Sequence, residues 1–319
     1  MEPSLLDVHA HYLPPAYREA AVAAGHSQPD GMAALPEWTA DAHVELMDRL
    51  GIAVSMLSIS SPGVHFGDDG AARALARQVN DDGRHARDAH PGRFGVLASL
   101  PLPDVAGALD EIAYAYDELG VDGVVLLTNL NGTYLGDAMF EPVFDELDRR
   151  RARIFLHPTS PVCWEHTSLG RPRPMLEFLF DTTRAVVDLV LSGTIARHPN
   201  VEIIVPHAGA ALPVIADRIA AFSMILPDLD PTTDVLADLT RLHYDLAGFP
   251  LPRQLDALLA LATADHLHYG SDYPFTPAPV VEMLLGPMGE VGEPPGSLLA
   301  SLAANTRRLF PTLPIEATA

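Results

Sequence analysis

The sequence predicts a distorted (β/α)8 TIM barrel with extra helices, formed as one domain over residues 1–319. Two observations predict this fold. Eight short apolar runs recur along the chain, and each is followed by a helix-length amphipathic segment. Several runs are apolar at nearly every position, as expected for parallel strands that are buried on both faces. A doubly wound open sheet is the alternative, but no glycine-rich phosphate-binding fingerprint follows the first run.

The elements follow one another in regular alternation. The predicted strands are 5–11, 53–60, 93–99, 123–128, 153–157, 201–207, 242–247 and 266–272. The predicted helices are 39–50, 69–89, 104–119, 137–150, 175–193, 208–226 and 252–263, with a C-terminal helix at 299–309 that is expected to pack on the barrel. We found no compositional break that would mark a linker between domains.

The composition excludes several classes of function. Twenty basic and 42 acidic residues give a net charge of −22, which disfavours binding to nucleic acid or to an anionic membrane surface. All of the basic residues are arginine. A chain without lysine cannot form a lysine Schiff base, anchor pyridoxal phosphate or supply a Walker-A lysine, and it cannot bridge two metals through a carbamylated lysine.

A single cysteine, Cys163, excludes an internal disulfide and a zinc site built from several thiolates. The first residues have neither a basic segment nor an apolar segment of the kind found in a signal peptide. The apolar stretches are far shorter than the ~18 residues of a membrane-spanning helix. We therefore expect a cytoplasmic protein.

Polar residues stand at the carboxyl ends of four predicted strands. His9 and His11 end the first run, and residues i and i+2 of a strand point to the same face, so the two imidazoles converge. His157 ends the fifth run, His207 the sixth and Asp272 the eighth. One histidine at a strand end would not by itself indicate a metal site. The five residues together, at the barrel end where active sites lie, predict a metal site.

Other residues are candidates for supporting roles. Asp7 shares the predicted face of His9 and is expected to orient a ligand through a hydrogen bond. The segments 63–70 and 160–174 are longer than simple connectors and are expected to bind substrate. In the second segment, His166 could line the pocket, and Arg171 or Arg173 could meet a carboxylate; a solvated loop is the alternative for all three.

Four aromatic residues near the same barrel end are candidates for stacking on a substrate ring: Phe66, Trp164, Tyr273 and Phe275. Packing within the loops is the alternative interpretation of each.

Several segments resemble the amidohydrolase superfamily, and more closely its decarboxylase branch typified by aminocarboxymuconate-semialdehyde decarboxylase. The resemblance is carried by DVHAHYLPPAY at 7–17, FLHP at 155–158, LEFLFDTTRAVVDLVLSG at 176–193, PHAGAALPVIADRI at 206–219 and YGSDYPFTP at 269–277. The segments follow in the family's order over nearly the whole chain.

The resemblance implies a role for each matching residue. His9, His11, His157 and Asp272 would bind one divalent metal, usually zinc and sometimes manganese, and no organic cofactor is implied. His207 would be the catalytic histidine beside the metal. Binuclear members of the superfamily use a carboxylated lysine, which this chain lacks, so the site would be mononuclear. A homodimer is also implied.

Two details bear on the substrate. Muconate-semialdehyde decarboxylases carry an arginine that binds a substrate carboxylate across the dimer interface, in a stretch similar to 222–228 here. This chain has Ile225 at that place, which disfavours a dicarboxylate substrate. The segment GSDYPFTP resembles 6-methylsalicylate decarboxylases. We therefore expect a metal-dependent, non-oxidative decarboxylase of a hydroxy- or amino-substituted aromatic carboxylic acid.

Decarboxylation of such an acid requires a proton at the ring carbon that bears the carboxylate. The metal would hold the phenolate and carboxylate oxygens together, and either Asp272 or His207 could deliver the proton. The alternative function is a hydrolase or hydratase acting on a lactone, an ester or a C–C bond at the same site, with His207 activating water. A degenerate, non-catalytic barrel is disfavoured because all five site positions are intact.

Overall fold

The structure of the chain is a computed structural model that describes residues 5–226, 233–291 and 297–313. Its strands are β1 Leu5–His11, β2 Ile52–Ser58, β3 Phe94–Ser99, β4 Gly123–Leu127, β5 Asn129–Leu130, β6 Thr133–Tyr134, β7 Arg153–His157, β8 Glu202–Val205, β9 His243–Asp245 and β10 Leu267–His268. Eight of them form a parallel sheet in the order β1-β2-β3-β4-β7-β8-β9-β10, and β5 and β6 form a small antiparallel pair.

The sheet closes into a barrel between its first and last strands. Single parallel bridges join Asp7 to Tyr269 and Ala10 to Tyr273. The backbone N–H of Val8 donates to the carbonyl of Tyr269 at 2.9 Å. The predicted (β/α)8 barrel is therefore confirmed.

Helices surround the barrel. They are α1 Pro15–Ala23, α2 Ala40–Leu50, α3 Asp69–Ala89, α4 Val105–Tyr114, α5 Glu141–Arg149, α6 Trp164–Thr167, α7 Glu177–Leu191, α8 Thr194–Arg197, α9 Leu212–Ser223, α10 Val235–Thr240, α11 Gln254–Leu259, α12 Ala278–Gly289 and α13 Leu298–Leu309. A π-helical turn, Ala115–Leu119, continues α4 to the end of the predicted helix. Within the described part of the chain, no helix is both long and apolar enough to cross a membrane.

Alternate residues of the strands fill two hydrophobic layers, as the period of two in a strand requires. One set, including Val96, Val124 and Ile154, packs outward against the helices. The other set, including Val8 and Phe155, fills the barrel interior, and the end of α13 with the residues after it packs against this interior cluster. One end of the barrel is therefore filled by apolar side chains, which leaves the polar chemistry to the carboxyl ends of the strands.

Six of the eight predicted strands are longer than the strands in the structure, and for two of them the backbone shows the reason. His207 (φ 55°) and Asp272 (φ 57°) adopt left-handed conformations, which interrupt the extended backbone at each of them. His207 therefore lies two residues past the end of β8, and Asp272 lies four residues past the end of β10. The predicted helix 208–226 begins only at Leu212, because Ala208 (φ 51°) and Ala210 (φ 56°) are also left-handed. Pro227 and Asp228, part of the stretch compared with the muconate branch, lie outside the described residues.

Candidate metal centre

The structure brings together the four residues that the sequence predicts as metal ligands. His9 and His11 lie on β1, His157 ends β7, and Asp272 follows β10. One donor atom from each lies within 4.8 Å of the donor atoms of the others. We call these four residues the metal cluster.

A shift in strand register explains why β1 turns two histidines toward the barrel opening. The pairing of β1 with β2 is irregular between Asp7 and Ala10. Val8 belongs to the interior apolar cluster, and the His9 ring lies 4.6 Å from the ring of Phe155, which belongs to the same cluster. Irregularities of this kind re-aim side chains and are frequent beside active sites. His9 and His11 are therefore fully buried and yet face the cluster.

The inward-facing nitrogens are unusual for buried polar atoms. Nε2 of His11 lies 3.2 Å from Oδ1 of Asp272, and Nε2 of His9 lies 3.4 Å from the same oxygen. Neither nitrogen is oriented to form a hydrogen bond, and both are buried. Buried polar atoms without a partner are costly and rare. Three imidazole nitrogens and a carboxylate oxygen are a ligand set that suits zinc and similar divalent ions, so the residues fit a metal.

The outward-facing nitrogens of the three histidines are all occupied. Nδ1 of His9 donates to Oδ2 of Asp245 at 2.9 Å. Nδ1 of His11 lies 3.0 Å from the hydroxyl and 3.2 Å from the carbonyl of Ser58. Nδ1 of His157 donates to the carbonyl of Pro158 at 2.7 Å. These acceptors place the imidazole proton on Nδ1 and leave the Nε2 lone pairs facing the cluster.

The electrostatics of the cluster favour a bound cation. Burial lowers the pKa of His11 and lowers that of His157 well below the ordinary range, so both rings present lone pairs. Burial opposes the charged form of Asp272 as well, but His11 and His9 hold the pKa of its carboxyl well below the ordinary range. Burial alone would lower the pKa of His9; the carboxylates of Asp245 and Asp272 outweigh it and raise the pKa. A divalent cation would take the place of the proton on Nε2 of His9.

His207 lies next to the metal cluster, with its ring centroid 5.2 Å from that of His9. Its backbone is fixed on both sides, because its N–H donates to Oδ1 of Asp245 at 2.9 Å and its carbonyl accepts from Nε2 of Gln254 at 2.6 Å. These bonds hold the left-handed turn in which His207 lies. Its Nδ1 is buried without a hydrogen-bond partner, and burial lowers its pKa.

Asp245 is a site residue that the sequence prediction missed. It is fully buried at the end of β9, and its two carboxylate oxygens reach both His9 and the backbone of His207. The predicted seventh strand, 242–247, contains it. Its place near the carboxyl end of a predicted strand was the signal that could have identified it.

Asp7 forms a hydrogen bond with a ligand residue, as expected, but it binds the backbone of His9 and not the ring. Its Oδ1 accepts the backbone N–H groups of His9 at 3.1 Å and Ser271 at 3.0 Å, and its Oδ2 lies 3.5 Å from the Ser55 hydroxyl. It therefore ties β1 to the loop after β10 rather than orienting an imidazole ring. The approach of the two segments is close, because a Cβ added to Gly270 would lie 2.9 Å from Cβ of His9.

The aromatic candidates lie in three different places. The Phe275 ring packs edge-on against His11 with the centroids 5.5 Å apart. Phe66 and Trp164 line a cavity of about 470 Å³ formed by the carboxyl ends of β2, β3, β4 and β7 and the loops after them. The Tyr273 ring packs on His43 of α2 at 4.8 Å, while its carbonyl accepts the backbone N–H of His11 at 2.7 Å.

The cavity adjoins the metal cluster through two short segments. Thr159 lines the cavity and lies two residues after His157. Ile59 also lines it and precedes Ser60, whose hydroxyl lies 3.3 Å from Nε2 of His157. Of the loop residues considered above, Arg173 lines the cavity. His166 and Arg171 are exposed.

Several known proteins are similar to this chain. The chain is 36% identical over 319 residues to the 6-methylsalicylic acid decarboxylase acuB of Aspergillus aculeatus, covering 97% of this chain and 96% of the relative. A solved structure described as amidohydrolase II superposes with a TM-score of 0.90 at 36% identity, covering 97% of this chain and 100% of the other. The 5-carboxyvanillate decarboxylase of Novosphingobium aromaticivorans, solved with manganese, has the same fold, with a TM-score of 0.85 at 20% identity and 97% of both chains covered.

The named decarboxylase relative confirms the enzyme class predicted from the sequence, a carboxy-lyase. The model of the family described as Amidohydrolase matches residues 6–281, which include all four residues of the metal cluster and His207. The chain therefore belongs to the amidohydrolase family.

Proposed function

We propose that this protein is a metal-dependent, non-oxidative decarboxylase of a hydroxy- or amino-substituted aromatic carboxylic acid similar to 6-methylsalicylate. The observation that carries the proposal is the metal cluster, in which the Nε2 atoms of His9 and His11 are buried without a hydrogen-bond partner. The cavity beside the cluster, which has apolar and aromatic side chains in its walls, and the 6-methylsalicylic acid decarboxylase at 36% identity support the same activity.

His9, His11, His157 and Asp272 would hold the divalent ion, which would bind the phenolate and carboxylate oxygens of the substrate and orient them. We propose zinc, because three imidazoles and one carboxylate are typical ligands for it. Manganese is the alternative, since the 5-carboxyvanillate decarboxylase with the same fold was solved with manganese.

The reaction exchanges CO2 for a proton at one ring carbon. We assign the movement of that proton to His207, whose ring lies beside His9 and whose backbone Asp245 and Gln254 hold in place. The imidazole exchanges a proton more readily near neutral pH than the carboxyl of Asp272, whose pKa lies well below the ordinary range. Asp272 is the alternative donor.

We propose that the substrate ring contacts Phe275, which packs against His11, and that its substituents reach the cavity lined by Phe66 and Trp164. An apolar wall with an aromatic edge suits a substituted benzene ring. Tyr273 remains a proposed neighbour of the substrate, next to His11 through its backbone carbonyl.

The test is decarboxylation of 6-methylsalicylate by the zinc- or manganese-loaded protein in D2O. We expect release of CO2 and of 3-methylphenol that carries one deuterium at the former carboxyl position. His157→Ala and Asp272→Ala should abolish turnover and lower the metal content. His207→Asn should abolish turnover with the metal retained. His166→Ala, which alters an exposed histidine in the loop after β7, is the matched control and should keep full activity.

Two outcomes would contradict the proposal. One is a metal-loaded protein that releases no CO2 from any acid in a panel of salicylates and aminobenzoates. In that case hydrolysis of lactones and C–C diketones would be the next assay. The other is turnover that survives the loss of His157 and Asp272.

We further propose that residues 1–319 form one domain and that the protein is a cytoplasmic homodimer. The resemblance described above supports the dimer. The composition, with one cysteine and a net charge of −22, supports a reducing compartment and a small-molecule substrate rather than nucleic acid or membrane.

A further inference from the structure

The cavity beside the metal cluster contains a single permanent cation among the described residues that line it. Its walls include the apolar and aromatic side chains of Val64, Leu126 and Trp164. Arg173 lines the same cavity from the loop after β7. A cavity that combines apolar walls with one fixed cation suits an aromatic ligand that carries a negative charge.

The guanidinium of Arg173 is held in place from three sides. Its Nε donates to the hydroxyl of Ser160 at 3.0 Å, and its central carbon lies 4.1 Å from the centroid of the Trp164 ring. A Cβ added to Gly31 would lie 2.8 Å from Nη1 of Arg173, and Gly31 also has a φ of +76°, so glycine is required there. A guanidinium fixed in this way loses little side-chain freedom when it binds an anion.

Within the described chain, Arg173 has no ion pair with a carboxylate. Asp30 also lines the cavity, but its Oδ1 accepts the hydroxyl of Ser160, which lies between the two charges. Partial burial lowers the pKa of Arg173, and the charge of Asp30 only partly opposes this effect. The two terminal nitrogens of the Arg173 guanidinium therefore remain able to donate to a planar anion, and a carboxylate matches their geometry.

We propose that Arg173 pairs with the carboxylate of the incoming aromatic acid before that carboxylate reaches the metal cluster, and that it thereby selects the acid over its decarboxylated product. The inference rests on the proposed function, because it takes an aromatic acid as the substrate. A chain with a net charge of −22 repels anions overall, so one fixed cation at the cavity is the local attraction that brings the acid in. Once CO2 is lost, the neutral phenol offers nothing for the guanidinium to pair with, and the product leaves more easily than the substrate.

The test compares Arg173→Gln, Arg173→Lys and Arg171→Gln in the metal-loaded protein. Arg171 lies in the same loop but is exposed and does not line the cavity, so Arg171→Gln makes the same change in net charge at a neighbouring position. Two quantities are measured: kcat and KM for 6-methylsalicylate, and the Kd by calorimetry of 2-methylbenzoate and of neutral 2-methylphenol. Neither ligand contains the substrate's combination of hydroxyl and carboxylate groups.

We expect Arg173→Gln to raise the KM and the Kd of 2-methylbenzoate about 10- to 100-fold, with kcat and the Kd of 2-methylphenol nearly unchanged. Arg173→Lys should recover part of the loss. In the wild type, both KM and this Kd should rise with salt, and in Arg173→Gln the dependence should be weaker. Arg171→Gln should match the wild type.

The inference is overturned if the wild type does not bind 2-methylbenzoate, if Arg173→Gln binds it as the wild type does, or if Arg171→Gln loses as much affinity. The proposed function can fail separately. Binding of the acid that depends on Arg173, without release of CO2 from any acid, would contradict the decarboxylase and leave the carboxylate site standing. Turnover with an unchanged KM in Arg173→Gln would contradict the carboxylate site and leave the decarboxylase standing.

Discussion

The substitution Asp245→Asn should weaken metal binding although Asp245 does not belong to the metal cluster. One carboxylate oxygen of Asp245 accepts Nδ1–H of His9 at 2.9 Å. The other accepts the backbone N–H groups of His207 and Ala247, each at 2.9 Å. Asparagine keeps the shape, and its carbonyl oxygen can serve both backbone groups. Its NH2 group then faces Nδ1 of His9 and favours the tautomer with the proton on Nε2, which is the atom that would bind the metal.

The magnitude follows from that single hydrogen bond. Loss of a carboxylate partner behind a ligating histidine typically lowers metal affinity by ~10–100-fold, or about 1.4–2.8 kcal/mol. Because all of the groups involved are buried, solvent cannot replace the lost acceptor. The backbone of His207 should stay in place, so the fold should be retained.

The assay is competition for zinc against a chelator of known affinity, with the fold checked by circular dichroism. Asp122→Asn is the matched control, because Asp122 is another largely buried aspartate that accepts a backbone N–H, from Val96 at 2.9 Å, and it precedes β4 at the opposite end of a strand. Zinc affinity in Asp245→Asn within twofold of the wild type would refute the reasoning, and so would an equal loss in Asp122→Asn.

Two further perturbations test the packing around the site. Gly270→Ala should weaken zinc binding and lower the free energy of unfolding by about 1–3 kcal/mol, because the new Cβ would lie 2.9 Å from Cβ of His9; Gly286→Ala, with no atom within 4 Å of the added Cβ, is its control and should not destabilise. Burial of His43 lowers its pKa to about 3, so between pH 6.5 and 3 the unfolded chain binds a proton that the folded chain does not. The folded state should therefore lose stability as the pH is lowered from 6.5 to 3, and His43→Gln should remove up to about 1.4 kcal/mol per pH unit from this slope. The slope is measured by urea unfolding at several pH values, and an unchanged slope would contradict the assignment.

Three elements lie at the residues that the sequence predicts. The strands at 5–11 and 153–157 and the helix at 69–89 lie at the predicted residues. This helix buries one stripe of small and apolar residues, including Ala72, Ala76 and Val79, and the Asp68 side chain caps its first turn. Local periodicity and a capping residue are properties of the sequence alone, so the position of this helix could be predicted without tertiary information.

The misplaced boundaries depend on tertiary contacts. His207 and Asp272 are left-handed, a conformation that no local pattern predicts for histidine or aspartate, and it is held here by contacts with distant residues. The N–H of Asp272 donates to the carbonyl of His9 at 2.7 Å, and Asp245 binds the N–H of His207. The metal cluster could still be predicted, because a residue that lies a few positions past a strand end keeps its side chain at the same end of the barrel.

Asp245 and Arg173 were harder to identify from the sequence. Asp245 stands alone at the end of a short strand and has no motif such as His-x-His to mark it. Arg173 was one of two arginines in a long loop, and only the cavity distinguishes it from Arg171. The sequence shows which residue types are available, whereas the closed barrel decides which of them meet.

The most direct test of the central claim is a titration of the metal-free protein with zinc or manganese while CO2 release from 6-methylsalicylate is measured. The account predicts no turnover without metal and a linear rise that ends at about one ion per chain, because the metal cluster offers one set of four ligands. His157→Ala should require far more metal to reach any activity. Turnover by the metal-free protein, or no release of CO2 at one bound ion per chain, would contradict it.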